Sequence, residues 1–280
     1  MLPVRKYSLD FSSQSILWIT GLSLFVLGPF DKVWTFWLSE HNIASFSDIF
    51  NRSIFEGNKL GASDLGVIIY IGSLLILLIG LFKPYSSPKY QKASLLASFL
   101  SYYGLILALG FVHPLKLIWG RMRPEALSGI SDSNFTHWYQ GGISNLHKIN
   151  FAGSLPSGHT ATFLMVIALL YGVYFLKQTT QFRLKVLAIG VLSFGGCIAM
   201  GVSRSMALKH WVSDWILSIG FGWFLLHYLF FNIWQMDYKL SFEGNQSRRL
   251  DRPKTSLLVG LPFILISIIL VLRIASILWT

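Results

Sequence analysis

Two histidines, an aspartate and several cations fall into three short clusters whose residue types suit phosphoryl chemistry. The clusters cover residues 116–124, 155–160 and 203–214, and each adjoins a long apolar run. Arginine binds two phosphate oxygens at once through its planar guanidinium, and histidine serves as a nucleophile or a proton donor. Together these residue types can clamp a phosphate, attack it and protonate a leaving oxygen without a metal ion.

The first cluster carries three cations, Lys116, Arg121 and Arg123, followed by Pro124. A basic flank at the end of a membrane helix is the ordinary alternative, since such flanks are common. The role of Arg121 is undecided at this point: its side chain could contact the phosphate or the lipid headgroups.

The second cluster contains Ser157, Gly158 and His159 immediately before an apolar run. The backbone N–H groups at a helix N-terminus bind anions, and glycine lets an oxyanion approach closely. The alternative is an ordinary turn in which Ser157 caps the helix.

The third cluster places Arg204 six residues before His210 and Asp214 four residues after it. On a helix, residues four apart share a face, so this spacing allows the carboxylate to hydrogen-bond the imidazole. Such a bond fixes the tautomer and leaves the other ring nitrogen free to act as a nucleophile or base. The alternative is a pair that only caps the following helix.

The three clusters together resemble the signatures of the type 2 phosphatidic acid phosphatase superfamily, in order and in spacing. The motifs are K-x6-R-P at 116–124, P-S-G-H at 156–159 and S-R-x5-H-x3-D at 203–214. The resemblance covers about residues 93–236 and implies a six-helix core with the site at the outer face of the membrane. Two outer segments, 31–64 and 125–155, lie outside the motifs and leave the choice of substrate open.

The resemblance also implies a role for each matched residue. His210 is the nucleophile that forms a phosphohistidine, Asp214 orients it, and His159 protonates the leaving oxygen. Phosphate binding falls to Lys116, Arg123, Arg204, Ser157 and the Gly158 amide. The family relationship further implies inhibition by vanadate, and we expect no cofactor and no metal; the single cysteine excludes a cysteine-rich zinc site.

These residues must be positioned by membrane helices, because the chain is 53% hydrophobic and only 12% charged. Its mean hydropathy is +0.56, and its apolar residues cluster in runs long enough to cross a bilayer. The sequence predicts an all-α polytopic membrane protein that forms one integral membrane domain over 1–280. The predicted spans are 14–30, 65–82, 93–112, 160–176, 186–203, 215–236 and, beyond the six-helix core, an additional C-terminal span at 255–279.

The charge of the loops predicts the orientation of these spans. With the N-terminus inside, the inner segments hold 13 Lys and Arg in 50 residues, and the outer ones hold nine in 93. Positive residues favour the cytoplasmic side, so all three clusters fall on the outer face. We expect a bacterial inner membrane with a cytoplasmic N-terminus and a periplasmic site; an endoplasmic reticulum membrane with a luminal site fits the same topology. A retained first span is favoured over a cleaved signal peptide because 14–30 ends without an A-x-A-like site.

The expected activity is hydrolysis of a phosphate monoester or pyrophosphate on a membrane lipid. Phosphatidylglycerol phosphate, phosphatidic acid, undecaprenyl pyrophosphate and a phosphate of lipid A are all candidates. A lipid-to-lipid phosphotransferase could use the same site. A transporter or channel is disfavoured because His227 is almost the only polar candidate deep in a span, and a soluble haloperoxidase is disfavoured by the seven spans. The net charge of +11 lies in short loops rather than on one basic patch, so no nucleic acid partner is expected.

Several other residues are expected to play structural roles. His113 is interpreted as an interface histidine, and His227 is expected to form a structural hydrogen bond nearer the inner face. Trp34 and Trp37 are plausible interface anchors. The segment 125–155, with His137, Trp138, Tyr139, His147 and Lys148, could contact a headgroup or simply cap the outer face. The oligomeric state is left open.

Overall fold

The computed structural model describes residues 11–51, 62–82, 88–131, 133–140, 153–176 and 179–241, and every regular element in these ranges is helical. The helices are α1 (Phe11–Leu27), α2 (Asp31–Glu40), α3 (Ala44–Asn51), α4 (Asp64–Phe82), α5 (Pro88–Leu105), α6 (His113–Trp119), α7 (Gly158–Leu176), α8 (Thr180–Met206), α9 (Val212–Tyr228) and α10 (Met236–Ser241). A 3-10 turn joins α1 to α2, and a π-helical segment joins α5 to α6. The prediction of an all-α protein is confirmed for these residues.

Five helical stretches are long and apolar enough to cross a membrane, so the protein is an integral membrane protein. They are Phe11–Glu40, Lys89–Ala126, Gly158–Leu176, Thr180–Met206 and Val212–Ile233. Each overlaps one predicted span, although the bounds differ. The predicted span 65–82 is α4, whose apolar stretch Asp64–Gly80 is shorter than the other five. The predicted span 255–279 lies outside the described residues.

The surface of the bundle is apolar as well as its interior. Phe99 and Leu164 are fully buried between helices, whereas Trp18 of α1 and Leu192 of α8 are 78% and 76% exposed. Large apolar side chains exposed to water oppose the hydrophobic effect, whereas a bilayer accommodates them without that cost. The exposed faces of α1 and α8 are therefore suited to contact lipid.

The first span packs tightly against α9. A Cβ atom at Gly220 of α9 would collide with the side chain of Thr20 of α1, so the glycine permits the close approach. Leu24 of α1 is buried against Val212 at the start of α9. This contact brings the C-terminal end of α1, after which Asp31 begins α2, beside the N-terminus of α9.

A left-handed glycine ends α6 and directs the following chain towards the bundle. Gly120 has φ 51°, which a residue with a Cβ adopts only at a cost. Its N–H donates to the carbonyl of Lys116 at 3.1 Å. The end of α6, the start of α7, the end of α8 and the start of α9 then meet at one end of the bundle, and the three sequence clusters lie there.

Candidate active site

Backbone hydrogen bonds join the three clusters into one site. The segments after α6, before α7 and between α8 and α9 exchange bonds although they are distant in sequence. The N–H of Ser154 donates to the carbonyl of Arg121 at 2.9 Å, and the N–H of Ser157 donates to the carbonyl of Asp214 at 3.3 Å. The N–H of Glu125 donates to the carbonyl of Leu208 at 3.0 Å, and Nε1 of Trp211 donates to the carbonyl of Met122 at 2.8 Å. Three main-chain bonds and one from the indole of Trp211 thus hold together clusters that are separate in the sequence.

His210 lies in the turn between α8 and α9 and is almost fully buried. Its Nδ1 atom is 2.7 Å from the carbonyl oxygen of Ser154. A carbonyl oxygen can only accept a hydrogen bond, so Nδ1 must carry the proton. In the neutral ring the other nitrogen, Nε2, then keeps its lone pair, which is the state that a nucleophile requires.

Asp214 stands behind His210 but is not the closest acceptor to it. Its Oδ2 atom is 3.5 Å from His210 Nδ1 and 2.9 Å from the backbone nitrogen of Trp211, which donates to it. The spacing of four residues predicted a direct hydrogen bond, whereas the short bond from Nδ1 goes to Ser154. The physical reason is that α9 begins at Val212, so His210 lies outside the helix and the helical spacing does not apply. Asp214 instead caps its own helix and remains close to the imidazole.

Positive charge surrounds His210. Lys116 and Arg204 are buried, with 7% and 5% of their surfaces exposed, and the side chain of Arg123 is 28% exposed. Burial, together with the nearby charges of Lys116, Arg204, His159 and Arg123, holds the pKa of His210 well below its usual range. The lowered pKa favours the neutral imidazole, so an anion placed among these cations would meet an uncharged ring nitrogen.

The second cluster forms the start of α7. Ser157, Gly158 and His159 are all buried, and the helix begins at Gly158. Ser157 Oγ lies 2.9 Å from Thr160 Oγ1, which fixes the serine hydroxyl beside the first turn. The N–H groups of the first turn and the dipole of this 19-residue helix favour an anion at its N-terminus. The structure thus brings all eight predicted site residues to the same end of the bundle.

A comparison with protein families finds a match to the PAP2 superfamily over residues 96–238, half of the chain. The chain belongs to the PAP2 superfamily. The resemblance to the type 2 phosphatidic acid phosphatases is thereby confirmed, and membership supports phosphatase activity on phosphorylated substrates. Neither the comparison with curated proteins nor that with solved structures finds a match.

Arg121, inside the PAP2 match, was expected to contact either phosphate or lipid headgroups. Its hydrogen bonds go instead to groups of the protein. Its guanidinium is 2% exposed and donates to Asp214 Oδ1 and to Asp31 Oδ2, both at 2.7 Å. It also donates to the hydroxyl of Ser213 at 2.8 Å and to the carbonyl of Thr136 at 2.9 Å. The guanidinium thus donates to four protein acceptors.

Asp31 lies outside the PAP2 match and was missed as a site residue. It is fully buried and also accepts a hydrogen bond from the backbone nitrogen of Ser213 at 2.9 Å. Its partners Arg121 and Ser213 lie 90 and 182 positions away, so no local spacing could reveal them. The only signal in the sequence was an acidic residue at the C-terminal end of an apolar run.

The remaining candidates lie at the rim or away from the site. Glu125 pairs with Arg123 at 3.6 Å and with Lys209, at the partly exposed edge. His227 lies in the C-terminal half of α9, away from the site. Its Nδ1 atom is 3.5 Å from Oη of Tyr171 on α7, as expected of a structural hydrogen bond. Trp138 accepts a hydrogen bond from Trp119 through its carbonyl, and His137 stacks on Tyr139. His147 and Lys148 lie outside the described residues.

Proposed function

We propose that the protein hydrolyses a phosphate monoester or pyrophosphate on a membrane lipid through a phosphohistidine intermediate. The observation that carries this proposal is the hydrogen bond from His210 Nδ1 to the Ser154 carbonyl. It leaves Nε2 unprotonated in a buried, cationic site, where a phosphate can be both bound and attacked. Membership of the PAP2 superfamily supports the same reaction class.

The reaction would proceed in two steps. His210 Nε2 attacks phosphorus and forms a P–N bond while the P–O bond to the lipid breaks, and His159 gives its proton to the leaving oxygen. His159 then accepts a proton from water, which attacks phosphorus, breaks the P–N bond and releases inorganic phosphate. Asp214 balances the positive charge that His210 acquires in between.

The cations would hold the phosphoryl oxygens during both steps. Lys116, Arg123 and Arg204 supply charge, and Ser157 and the Gly158 amide supply donors at the start of α7. These groups offset the negative charge that the transition state spreads over its oxygens. The proposed chemistry uses no cofactor and no metal, so phosphate release should be unchanged by a chelator.

The substrate class follows from the position of the site. It lies at one end of a bundle whose outer surface is apolar, so a lipid tail can remain in the bilayer while its headgroup enters the site. We further propose that the chain forms one integral membrane domain with a six-helix core and, beyond that core, an additional C-terminal span at 255–279. The loop charges favour a cytoplasmic N-terminus and a periplasmic site in a bacterial inner membrane.

The test is phosphate release by the purified protein from a panel of lipid phosphates. The panel includes phosphatidylglycerol phosphate, phosphatidic acid, undecaprenyl pyrophosphate and a lipid A phosphate. His210→Ala should abolish release, whereas His41→Ala, which removes an exposed histidine, should leave it unchanged. Release by His210→Ala at the parent rate would refute the nucleophile. Mass spectrometry with a second lipid present would detect phosphate transfer in place of hydrolysis.

A further inference from the structure

The buried cluster around Arg121 contains two carboxylates and one guanidinium. Asp31 and Asp214 both bind Arg121 at 2.7 Å, and the side chains of all three are at most 1% exposed. Arg121 keeps its charge under all ordinary conditions. With both carboxylates ionised, the cluster carries one net negative charge beside His210.

We propose that Asp31 is a positioning residue of the catalytic centre, which holds Arg121 in place and leaves Asp214 with an uncompensated negative charge facing His210. This inference rests on the proposed function. Asp31 lies in the first span, outside the family match over 96–238, and would act through Arg121 and Asp214 without touching the substrate.

The charge balance explains why a second carboxylate is needed. Nε2 of His210 becomes bonded to phosphorus while Nδ1 keeps its proton, so the ring of the intermediate is a cation. A buried cation requires a counter-charge nearby. Arg121 and Asp214 alone would form a neutral ion pair, and Asp31 supplies the charge that makes the cluster negative.

The geometry also fixes the direction of the guanidinium. Besides the two carboxylates, Arg121 binds the Thr136 carbonyl and the Ser213 hydroxyl, and it lies 5.2 Å from the ring of Trp211. Ser213 in turn donates both its N–H and its hydroxyl to Asp31. Asp31 therefore connects the first span both to Arg121 and to the first turn of α9, which carries Asp214.

A purely structural role can be separated from this one by a neighbour on α2. Thr35 is buried and accepts a hydrogen bond from the backbone nitrogen of Val212 at 3.2 Å. Like Asp31, it caps α9 from the first span, but it has no charge. Thr35→Val keeps the shape and removes the cap, whereas Asp31→Asn keeps an acceptor and removes the charge.

The experiment compares Asp31→Asn, Thr35→Val, Arg121→Gln and the double variant Asp31→Asn/Arg121→Gln in the full-length protein. Asp31→Asn should lower kcat on the order of 10-fold to 100-fold, because the reacting groups lose their alignment and counter-charge. Its KM should change little, since Asp31 does not touch the substrate. Thr35→Val should lower thermal stability and keep most of the parent kcat.

The pH dependence of kcat/KM shows whether a substitution raises or lowers the pKa of His210. Its acid limb, the fall in kcat/KM towards low pH, follows protonation of His210 in the free enzyme. The charged or titratable groups facing His210 are Lys116, Arg123, Arg204, His159 and Asp214. Asp31→Asn removes a negative charge and should move the limb to lower pH. Arg121→Gln removes a positive charge and should move it to higher pH, by about half a pH unit or more. The double variant should return towards the parent.

The inference fails if Asp31→Asn and Thr35→Val lose activity equally, or if Asp31→Asn and Arg121→Gln move the limb in the same direction. If Asp31→Asn does not accumulate as folded protein, the double variant can be compared with Arg121→Gln instead. Loss of the Asp31 charge should then move the acid limb of the double variant to lower pH than that of Arg121→Gln. Phosphate release by His210→Ala would instead overturn the proposed function itself. If His210→Ala is inactive but the acid limb of Asp31→Asn lies at the same pH as that of the parent, only the role of Asp31 is overturned.

Discussion

Replacing Asp214 by alanine removes the group that links Arg121 to His210. Asp214 is fully buried, accepts from Arg121 at 2.7 Å and from the backbone nitrogen of Trp211 at 2.9 Å, and lies 3.5 Å from His210 Nδ1. Alanine leaves Arg121 buried with a single carboxylate and the backbone nitrogen of Trp211 without its acceptor. We therefore expect a loss of stability as well as of activity.

The size of the stability loss follows from the remaining partners. Breaking a buried ion pair costs about 3–5 kcal/mol when the other charge is left unpaired. Arg121 still has Asp31, which puts Asp214→Ala near the lower end, about 3 kcal/mol. Asp214→Asn keeps an acceptor for Arg121 and should cost about 1–2 kcal/mol. At roughly 2–4 °C per kcal/mol, alanine lowers Tm by about 6–12 °C and asparagine by about half of that.

Thermal unfolding of the purified protein, followed by tryptophan fluorescence, measures these shifts, and phosphate release measures activity. Both variants should lose most of kcat because both remove the charge that faces His210. The matched control is Asp48→Ala, which removes an exposed carboxylate and should change stability by less than about 0.5 kcal/mol. Melting of Asp214→Ala within about 2 °C of the parent, or a larger loss for asparagine than for alanine, would refute the reasoning.

Three further predictions concern the acid, the cations and the first span. His159→Asn should slow release from alkyl phosphates on the order of 100-fold or more but spare an aryl phosphate, whose leaving oxygen needs no proton; equal losses on both would exclude the acid role. Arg204→Gln should raise the pKa of His210, since the cation lowers it, so the acid limb of kcat/KM moves to higher pH; a limb that moved to lower pH would contradict this sign. Gly220→Val should lower Tm because its side chain collides with α1, whereas Gly21→Ala meets nothing within 4 Å and should be neutral or stabilising; equal melting of the two would exclude the close helix contact.

The grouping of the candidate site residues could be predicted because each lies in a short motif with its own residue types. Lys116, His159 and His210 were expected at one membrane face, and the structure places them at one end of the bundle. The spans were predictable in kind because a helix that crosses a bilayer needs a long apolar run. The bounds of the spans were less predictable. The first span was predicted to end at residue 30 but continues through α2 to Glu40, because the sequence of α2 by itself is typical of an interfacial segment.

The groups that position the chemistry could not be predicted. The acceptor for His210 Nδ1 is the carbonyl of Ser154, and a main-chain carbonyl has no residue type that a sequence could reveal. Asp31 meets Arg121 only because α1 packs on α9, a contact between distant segments. The expected bond from Asp214 to His210 assumed a helix where the chain forms a turn.

The packing of α1 against α9 also bears on the order in which the protein is assembled. During synthesis Asp31 and Arg121 emerge long before Asp214, and at that stage they can form a neutral ion pair, which a bilayer tolerates better than either charge alone. Only when α9 inserts beside the first span does Asp214 join, and the cluster then becomes negative. A chain from which residues 1–40 were deleted would retain every motif of its family, yet Arg121 would lack Asp31, the partner with which it can first neutralise its charge. The family motifs of this protein are thus hydrogen-bonded to a helix that carries none of them.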